Sequence, residues 1–155
     1  MRRAKITGIG AFAPEKVVPN SFFNEILGED VDTWLRENLT ITERRWCNEN
    51  ESTADLCEKA ALNAISDAGI SPVDIDLIII ATDTPEFVSP STSSVVQHRI
   101  GALKAGTFDI NTACAGFVTA LNTGSKFIAG DESYKNILVI GAYAMSKFLN
   151  LQDKK

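Results

Sequence analysis

The chain has 155 residues, of which 45% are hydrophobic and 23% are charged, and its formal net charge is −5. This length and mixture suffice for one globular domain with a substantial core, and the acidic balance disfavours a nucleic-acid-binding surface. No apolar run approaches the roughly 20 residues of a membrane-spanning helix, so we expect no membrane contact. The three cysteines, Cys47, Cys57 and Cys114, lack metal-ligand spacing. They predict free thiols in a reducing cytoplasm, without a disulfide framework or a bound metal.

The N-terminal third is predicted to begin with a strand and to continue as a long polar segment. Residues 5–12 form the predicted strand, which Pro14 ends. Gly8 and Gly10 form a G-x-G pair, but Ala13 replaces the third glycine of a dinucleotide fingerprint and no helix follows, so we reject a nucleotide site. Residues 15–50 are predicted to be irregular, apart from a short helix near residues 32–37. Long connections of this kind are often functional.

Helices and strands alternate from residue 52 onward. Ser52 is a predicted N-cap, Asp55 follows at capping-box spacing, and Gly69 is the predicted end of that helix. Residues 76–82 are an unbroken Leu/Ile-rich run, which predicts a central parallel strand buried on both faces. The remaining predicted elements are a helix over 91–100 ended by Gly101, a strand over 106–110, a helix from Phe117 to Gly130 and a strand over 136–141. This order predicts an α/β layered fold with right-handed crossovers.

Cys114 is the residue for which the sequence most favours chemistry. It lies between the strand over 106–110 and the following helix, so its thiol is expected at a helix N-terminus. Unpaired N–H groups and the helix dipole favour the thiolate there, and the thiolate is the nucleophile. The alternative is a small buried apolar residue, as most free cysteines are. The apolar residues expected to share one face of the following helix are Phe117, Val118, Leu121 and Ile128.

Residues 109–117 resemble the nucleophile segment of the thiolase-fold condensing enzymes. Their sequence is Asp-Ile-Asn-Thr-Ala-Cys-Ala-Gly-Phe, and it is most similar to β-ketoacyl-acyl-carrier-protein synthase III and its relatives. Further segments that resemble this group are 6–14, Thr33-Trp34-Leu35, Ile41-Thr42-Glu43-Arg44, 76–82 and 138–141. The resemblance implies a thiolase-like α-β-α layered fold. It also implies that residues 1–155 form a single domain equal to the N-terminal half of the usual enzyme, with the C-terminal half absent.

The resemblance implies acyltransferase chemistry. In the family, the cysteine takes an acyl group from a coenzyme A thioester and then condenses it with malonyl-acyl-carrier-protein, losing carbon dioxide, to initiate fatty acid biosynthesis. Cys114 is therefore the expected acyl-accepting nucleophile, with its backbone N–H in the oxyanion hole. The family also uses a histidine and an asparagine from its second half. Because His98 is not at a position that the family uses, we expect the 155 residues alone to be incomplete for condensation.

Three further positions are candidate substrate-binding residues by the same resemblance. Trp34 is expected to stack on adenine, with a partly buried anchor as the alternative. Phe87 is expected to be a residue of the acyl pocket or of the dimer loop. Lys154 is expected to lie at the coenzyme A entrance.

The sequence also departs from the family pattern around these positions. Asn38 stands where the family usually has an arginine, Thr40 stands for its glycine, and Ser89-Pro90 stands for its Phe-Pro pair. Arg44 and Arg45 are candidates for an anion clamp.

The expected partners are acyl-coenzyme A, acyl carrier protein and a second copy in a homodimer. No cofactor is expected to be bound permanently, since the coenzyme A thioester enters as substrate. Two other interpretations stay open. One is a related condensing enzyme, such as hydroxymethylglutaryl-coenzyme A synthase or a quinolone- or polyketide-type synthase. The other is an inactive half-domain that self-associates through an exposed sheet edge.

Overall fold

The computed structural model describes residues 2–153. In chain order, the helices and strands of this part of the chain are β1 Lys16–Pro19, α1 Asn20–Leu27, α2 Asp32–Leu39, β2 Glu43–Trp46, α3 Thr53–Ala68, β3 Leu77–Ala81, α4 Thr92–Ile100, β4 Gly106–Ile110, α5 Gly116–Gly130 and β5 Ile137–Gly141. They fall into two compact units. The first unit holds the segment up to Phe12 and Ser52–Tyr143, and the second holds Ala13–Glu51 and the segment from Ala144.

The first unit is built on a parallel sheet with the strand order β4-β3-β5. Every residue of the central strand β3 is buried, as its unbroken apolar run predicted. Because side chains alternate along a strand, Ile78 and Ile80 pack with residues of α3 and α4, whereas Leu77 and Ile79 pack with Ala120 of α5. Helices therefore cover both faces of the sheet, and the predicted α/β layered fold is confirmed.

The ends of α3 and α4 follow their sequence signals. The N–H of Ser52 donates to Asp55 Oδ2 at 2.7 Å, and the N–H of Asp55 donates to Ser52 Oγ at 3.3 Å, so the predicted capping box is present. Gly69 and Gly101 end the two helices at φ values of 65° and 78°, a region that glycine enters without steric cost.

Residues 5–12 do not form the predicted strand, since this segment lies along α3 and contributes to neither sheet. A Cβ on Gly8 or Gly10 would come closer than 3.0 Å to backbone atoms of Ala64. The N–H of Ile9 donates to Asp67 at 2.9 Å, and the amide of Asn63 donates to the carbonyl of Ala11 at 3.0 Å. The prediction was wrong because an extended, glycine-containing pattern does not reveal whether a strand will lie beside it.

The second unit has more regular structure than the sequence indicated. Its strands β1 and β2 pair in antiparallel fashion, with Lys16 opposite Trp46. The predicted short helix is present as α2, but α1, β1 and β2 replace the irregular chain expected around it. The buried side chain of Asn20 donates to Asp32 and to the carbonyl of Ile41, both at 2.7 Å, and accepts from Arg44 at 2.7 Å. Such long-range polar bonds stabilise these elements without leaving a periodic apolar pattern.

Small residues of α5 face the sheet. Gly116, Ala120 and Gly124 are the buried residues of this helix. Phe117, Val118 and Leu121, on the predicted apolar face, are exposed by 47%, 68% and 36%. The close packing of the helix excludes large side chains from its buried side, since a Cβ on Gly124 would lie 3.4 Å from the side chains of Ile137 and Val139. Among the described residues, no helix has both the length and the apolarity needed to span a bilayer.

Candidate active site

Cys114 lies at the junction between β4 and α5. It occupies the middle of a 3-10 turn, Ala113–Ala115, directly before Ala115, the N-cap of α5. The structure therefore places Cys114 at the predicted helix N-terminus. Its side chain is exposed, which does not support the buried alternative. The turn is tight, because Ala113 has a φ of 46° and its N–H donates to Asn111 Oδ1 at 3.0 Å.

Two glycines allow the first turn of α5 to approach the ends of the strands. A Cβ on Gly116 would lie 3.1 Å from the Cβ of Ala81, the last residue of β3. A Cβ on Gly141, which ends β5, would lie 3.1 Å from the ring of Phe117. The three strands are parallel, so their carboxyl ends share one edge of the sheet, the usual place for a ligand in open α/β sheets. Cys114 lies just beyond that edge.

No side chain caps the start of α5. Thr119 Oγ1 donates to the carbonyl of Ala115 at 2.9 Å and accepts from Thr112 at 3.3 Å, so these hydroxyls are engaged with each other and with the turn. The first turn of α5 has no acidic residue either, so no capping acid offsets the N-terminal partial positive charge of the helix.

The loop between β3 and α4 is fastened by a buried polar network that the sequence reasoning missed. The hydroxyl of Thr53 donates to the carbonyl of Thr84. The N–H of Thr84 in turn donates to Thr82 Oγ1 at 3.0 Å.

Glu86, in the same loop, makes two hydrogen bonds. Its carboxylate accepts from the N–H of Ala54 at 3.1 Å, and its N–H donates to Thr92 Oγ1 at 3.1 Å. The available signal was a cluster of threonines between two apolar elements.

Phe87 follows Glu86 directly and is 52% exposed. The structure thus places Phe87 in the same unit as Cys114, on a loop whose preceding residue is held at both its backbone and its side chain.

The two other thiols are enclosed. Burial raises the pKa of the Cys57 thiol to about 12, and the negative charges of Asp109 and Glu86 add to the rise. Cys47 is also buried. Cys114 is therefore the thiol that an external electrophile can reach without unfolding.

The remaining candidate residues lie in the second unit or outside the described residues. Trp34 is on α2 and is 57% exposed. Arg44 donates to Asn20 and lies 4.5 Å over the ring of Phe23, so its guanidinium has a structural role. Arg45 donates to the carbonyls of Pro14 and Glu15 at 3.4 and 3.3 Å.

Lys154 lies outside the described residues. Within residues 2–153, no group of three or more His, Cys, Asp or Glu side chains is arranged to hold a metal ion.

A parallel sheet covered on both faces, with an exposed cysteine between a strand end and a helix start, has the form of a thiolase-like condensing enzyme. Solved structures confirm this class. The 3-oxoacyl-[acyl-carrier-protein] synthase III of Aquifex aeolicus VF5 matches with a TM-score of 0.90 and 37% identity, over 97% of this chain and 48% of that one. The priming β-ketosynthase of the R1128 polyketide pathway matches with a TM-score of 0.91 and 27% identity, over 99% and 45%.

Sequence comparison specifies the family. A model of 3-oxoacyl-[acyl-carrier-protein] synthase III matches residues 108–155. The β-ketoacyl-[acyl-carrier-protein] synthase III of Clostridium acetobutylicum is 46% identical over 99% of this chain and 46% of its own length. That of Staphylococcus haemolyticus is 44% identical over 96% and 47%. The chain is similar over nearly its whole length to the N-terminal half of the β-ketoacyl-[acyl-carrier-protein] synthase III family.

The chain spans about half the length of the curated relatives that it matches. The relatives do not favour the alternatives of a hydroxymethylglutaryl-coenzyme A synthase, a quinolone- or polyketide-type synthase, or an inactive half-domain. That residues 1–155 form a single domain stays a prediction.

Proposed function

We propose that this chain supplies the acyl-accepting part of an acyltransferase that condenses acyl-coenzyme A with malonyl-acyl-carrier-protein. The observation that carries the proposal is the exposed Cys114 at the uncapped start of α5, in a chain that is 46% identical to a synthase III. In this proposal the enzyme initiates fatty acid biosynthesis in the cytoplasm. Acyl-coenzyme A and acyl carrier protein are its partners, and it needs no permanently bound cofactor.

In the first step, the Cys114 thiolate attacks the carbonyl carbon of the acyl-coenzyme A thioester. The carbonyl oxygen becomes an oxyanion, which the backbone N–H of Cys114 is proposed to stabilise, with support from the α5 dipole. The oxyanion collapses, coenzyme A leaves as its thiolate, and the acyl group remains on Cys114. A thiolate suits both steps because it is a good nucleophile and also a good leaving group.

In the second step, malonyl-acyl-carrier-protein loses carbon dioxide, and the electron pair of the broken bond becomes an enolate. The enolate carbon attacks the acyl-cysteine, forming the carbon–carbon bond and releasing the Cys114 thiolate. The family relationship further suggests that Trp34, Phe87 and Lys154 contact coenzyme A or the acyl chain. Exposure supports the proposal for Trp34 and Phe87, because a ligand can reach both rings.

Acyl transfer to the intact protein tests the proposal. After incubation with a short-chain acyl-coenzyme A, mass spectrometry is expected to find one acyl group on the peptide that contains Cys114. Cys114→Ala should lose this label and the β-ketoacyl product. Cys47→Ala is the matched control, because Cys47 is buried, and it should retain both. Equal acylation of the Cys114→Ala and parent proteins would sink the proposal.

A further inference from the structure

Asp109 occupies an unusual place on β4. Its neighbours Phe108 and Ile110 face α5 and pack in the core on that side of the sheet. Strand alternation therefore directs Thr107 and Asp109 to the opposite face, toward α4, where Ser94 Oγ lies 2.9 Å from Thr107 Oγ1. A carboxylate on a covered face of a sheet is costly unless its charge is hydrogen bonded.

The compensation comes from the N-terminus of α4. Asp109 Oδ2 accepts from the N–H of Thr92 at 2.6 Å, and Oδ1 accepts from the N–H of Ser93 at 2.9 Å. Ser91, the N-cap, uses its hydroxyl to accept from Ser94. The first turn of α4 contains no acidic residue of its own. Asp109 thus supplies, from a strand, the negative charge that a helix N-terminus favours, and both its oxygens are used.

The same residue lies at the base of the cysteine turn. Ile110, which follows Asp109, accepts from the N–H of Thr82 at 3.1 Å through its carbonyl. Beyond these two attachments the chain runs through Asn111 and the positive-φ residue Ala113 to Cys114. Since only a few backbone bonds separate the end of β4 from Cys114, a shift of this strand end would change the position of the thiol.

We propose that Asp109 is a positioning residue for Cys114, since its two hydrogen bonds to α4 fix the end of β4 from which the cysteine turn begins. The inference rests on the proposed acyl transfer to Cys114. Asp109 does not touch the reacting atoms. It sets the attack geometry of the thiol without contributing to the affinity for acyl-coenzyme A.

The test compares substitutions at two residues on the same face of β4, each made in the intact protein. In Asp109→Asn, the amide oxygen accepts from one N–H of α4, while the NH2 group faces the other and leaves that donor unpaired. Thr107→Val keeps the shape of its side chain and removes one bond to α4, and therefore controls for loosened packing. Asp109→Ser, which leaves room for a water beside α4, replaces Asp109→Asn if the latter does not fold.

Single-turnover acylation of Cys114 is measured over a range of acyl-coenzyme A concentrations. We expect Asp109→Asn to lower the saturating rate of acylation roughly 10- to 100-fold, because a displaced thiol attacks with poorer geometry. The half-saturating concentration of acyl-coenzyme A should change less than about twofold. Thr107→Val should change both by less than about twofold. A parental rate in Asp109→Asn, or equal losses in the two variants, would overturn the positioning role.

Two readouts separate this inference from the acyltransferase proposal. They are the rate of alkylation of Cys114 by iodoacetamide and amide hydrogen exchange over residues 110–116. If the parent protein is not acylated, the acyltransferase proposal fails and these readouts decide the positioning role alone. Faster exchange and altered alkylation confined to Asp109→Asn support it, and unchanged values in that variant refute it.

Discussion

Cys57 and Cys114 place the same thiol in opposite surroundings. Cys57, on α3, is buried in a core cluster with residues of the sheet and α4, and burial together with two nearby carboxylates disfavours its thiolate, whereas Cys114 is exposed at the start of α5. We therefore expect thiol reactivity in this protein to follow burial and local charge, not residue type. At the same scale, Asp109 accepts from two backbone N–H groups and Glu86 from one, in each case at the start of a helix to which the acidic residue does not belong.

The raised pKa of Cys57 predicts a loss of stability at high pH. Its pKa is about 12 in the folded protein, against 9.0 for a free thiol, so the folded state holds this proton more tightly. The stabilisation is complete below pH 9 and is lost as the pH rises through the folded pKa, by about 1.4 kcal/mol per unit while only the unfolded state ionises. Urea unfolding of the parent and Cys57→Ala proteins between pH 8 and about 11 measures it. Parallel curves would contradict the assignment.

At the scale of elements, close approach determines how the first unit packs. Residues 5–12 lie on α3 through Gly8 and Gly10, and α5 lies on the sheet through Gly116 and Gly124. A helix or segment with small residues at its contact approaches its neighbour more closely, and it leaves its large apolar side chains on the other side. The exposed face formed by Phe117, Val118 and Leu121 follows from this arrangement.

Gly10→Ala tests the close contact with α3. The new Cβ would overlap the backbone of Ala60 and Ala64, which cannot move as a flexible side chain can. We expect a loss of roughly 1–3 kcal/mol in the free energy of unfolding, the usual cost of overpacking. Gly130→Ala is the control, because the added Cβ would meet no described atom within 4 Å apart from its chain neighbours and its own helix backbone, and it should be neutral or stabilising by up to about 1 kcal/mol. Equal effects of the two substitutions would refute the contact.

For the whole molecule, the family relationship suggests a homodimer in which the loop between β3 and α4 reaches the partner. This loop carries Phe87 and the fully exposed Val88, two apolar residues that would gain stability from burial. The proposal concerns the intact protein, because the chain spans about half of its curated relatives.

Sedimentation equilibrium of the intact protein is expected to give the mass of a dimer. Val88→Lys should raise the dimer dissociation constant, since a charge would be buried at the interface. Val73→Lys, at an exposed position in the turn after α3, should leave the dissociation constant unchanged. A monomeric parent, or identical constants for the two variants, would contradict the proposed interface.

The order of elements from α3 to β5 could be predicted from sequence because its signals are local. A capping box at Ser52, glycines at helix ends and an unbroken apolar run in β3 each act within a few residues. The same is true of the candidate site at Cys114, whose position follows from the strand before it and the helix after it. The motif around it also carried the family resemblance that the comparisons confirm.

Only the tertiary structure decided the features that depend on distant partners. Residues 5–12 pack on α3 as an extended segment because strand formation needs a bonded neighbour, which no single segment specifies. The second unit folds through long-range bonds such as those of Asn20. Asp109 accepts hydrogen bonds from residues of α4 that lie 17 and 16 positions earlier in the sequence. The sequence by itself determined where the thiol and its flanking elements lie along the chain. Packing and hydrogen bonds between distant segments decided which N–H groups Asp109 binds and which face of α5 is exposed.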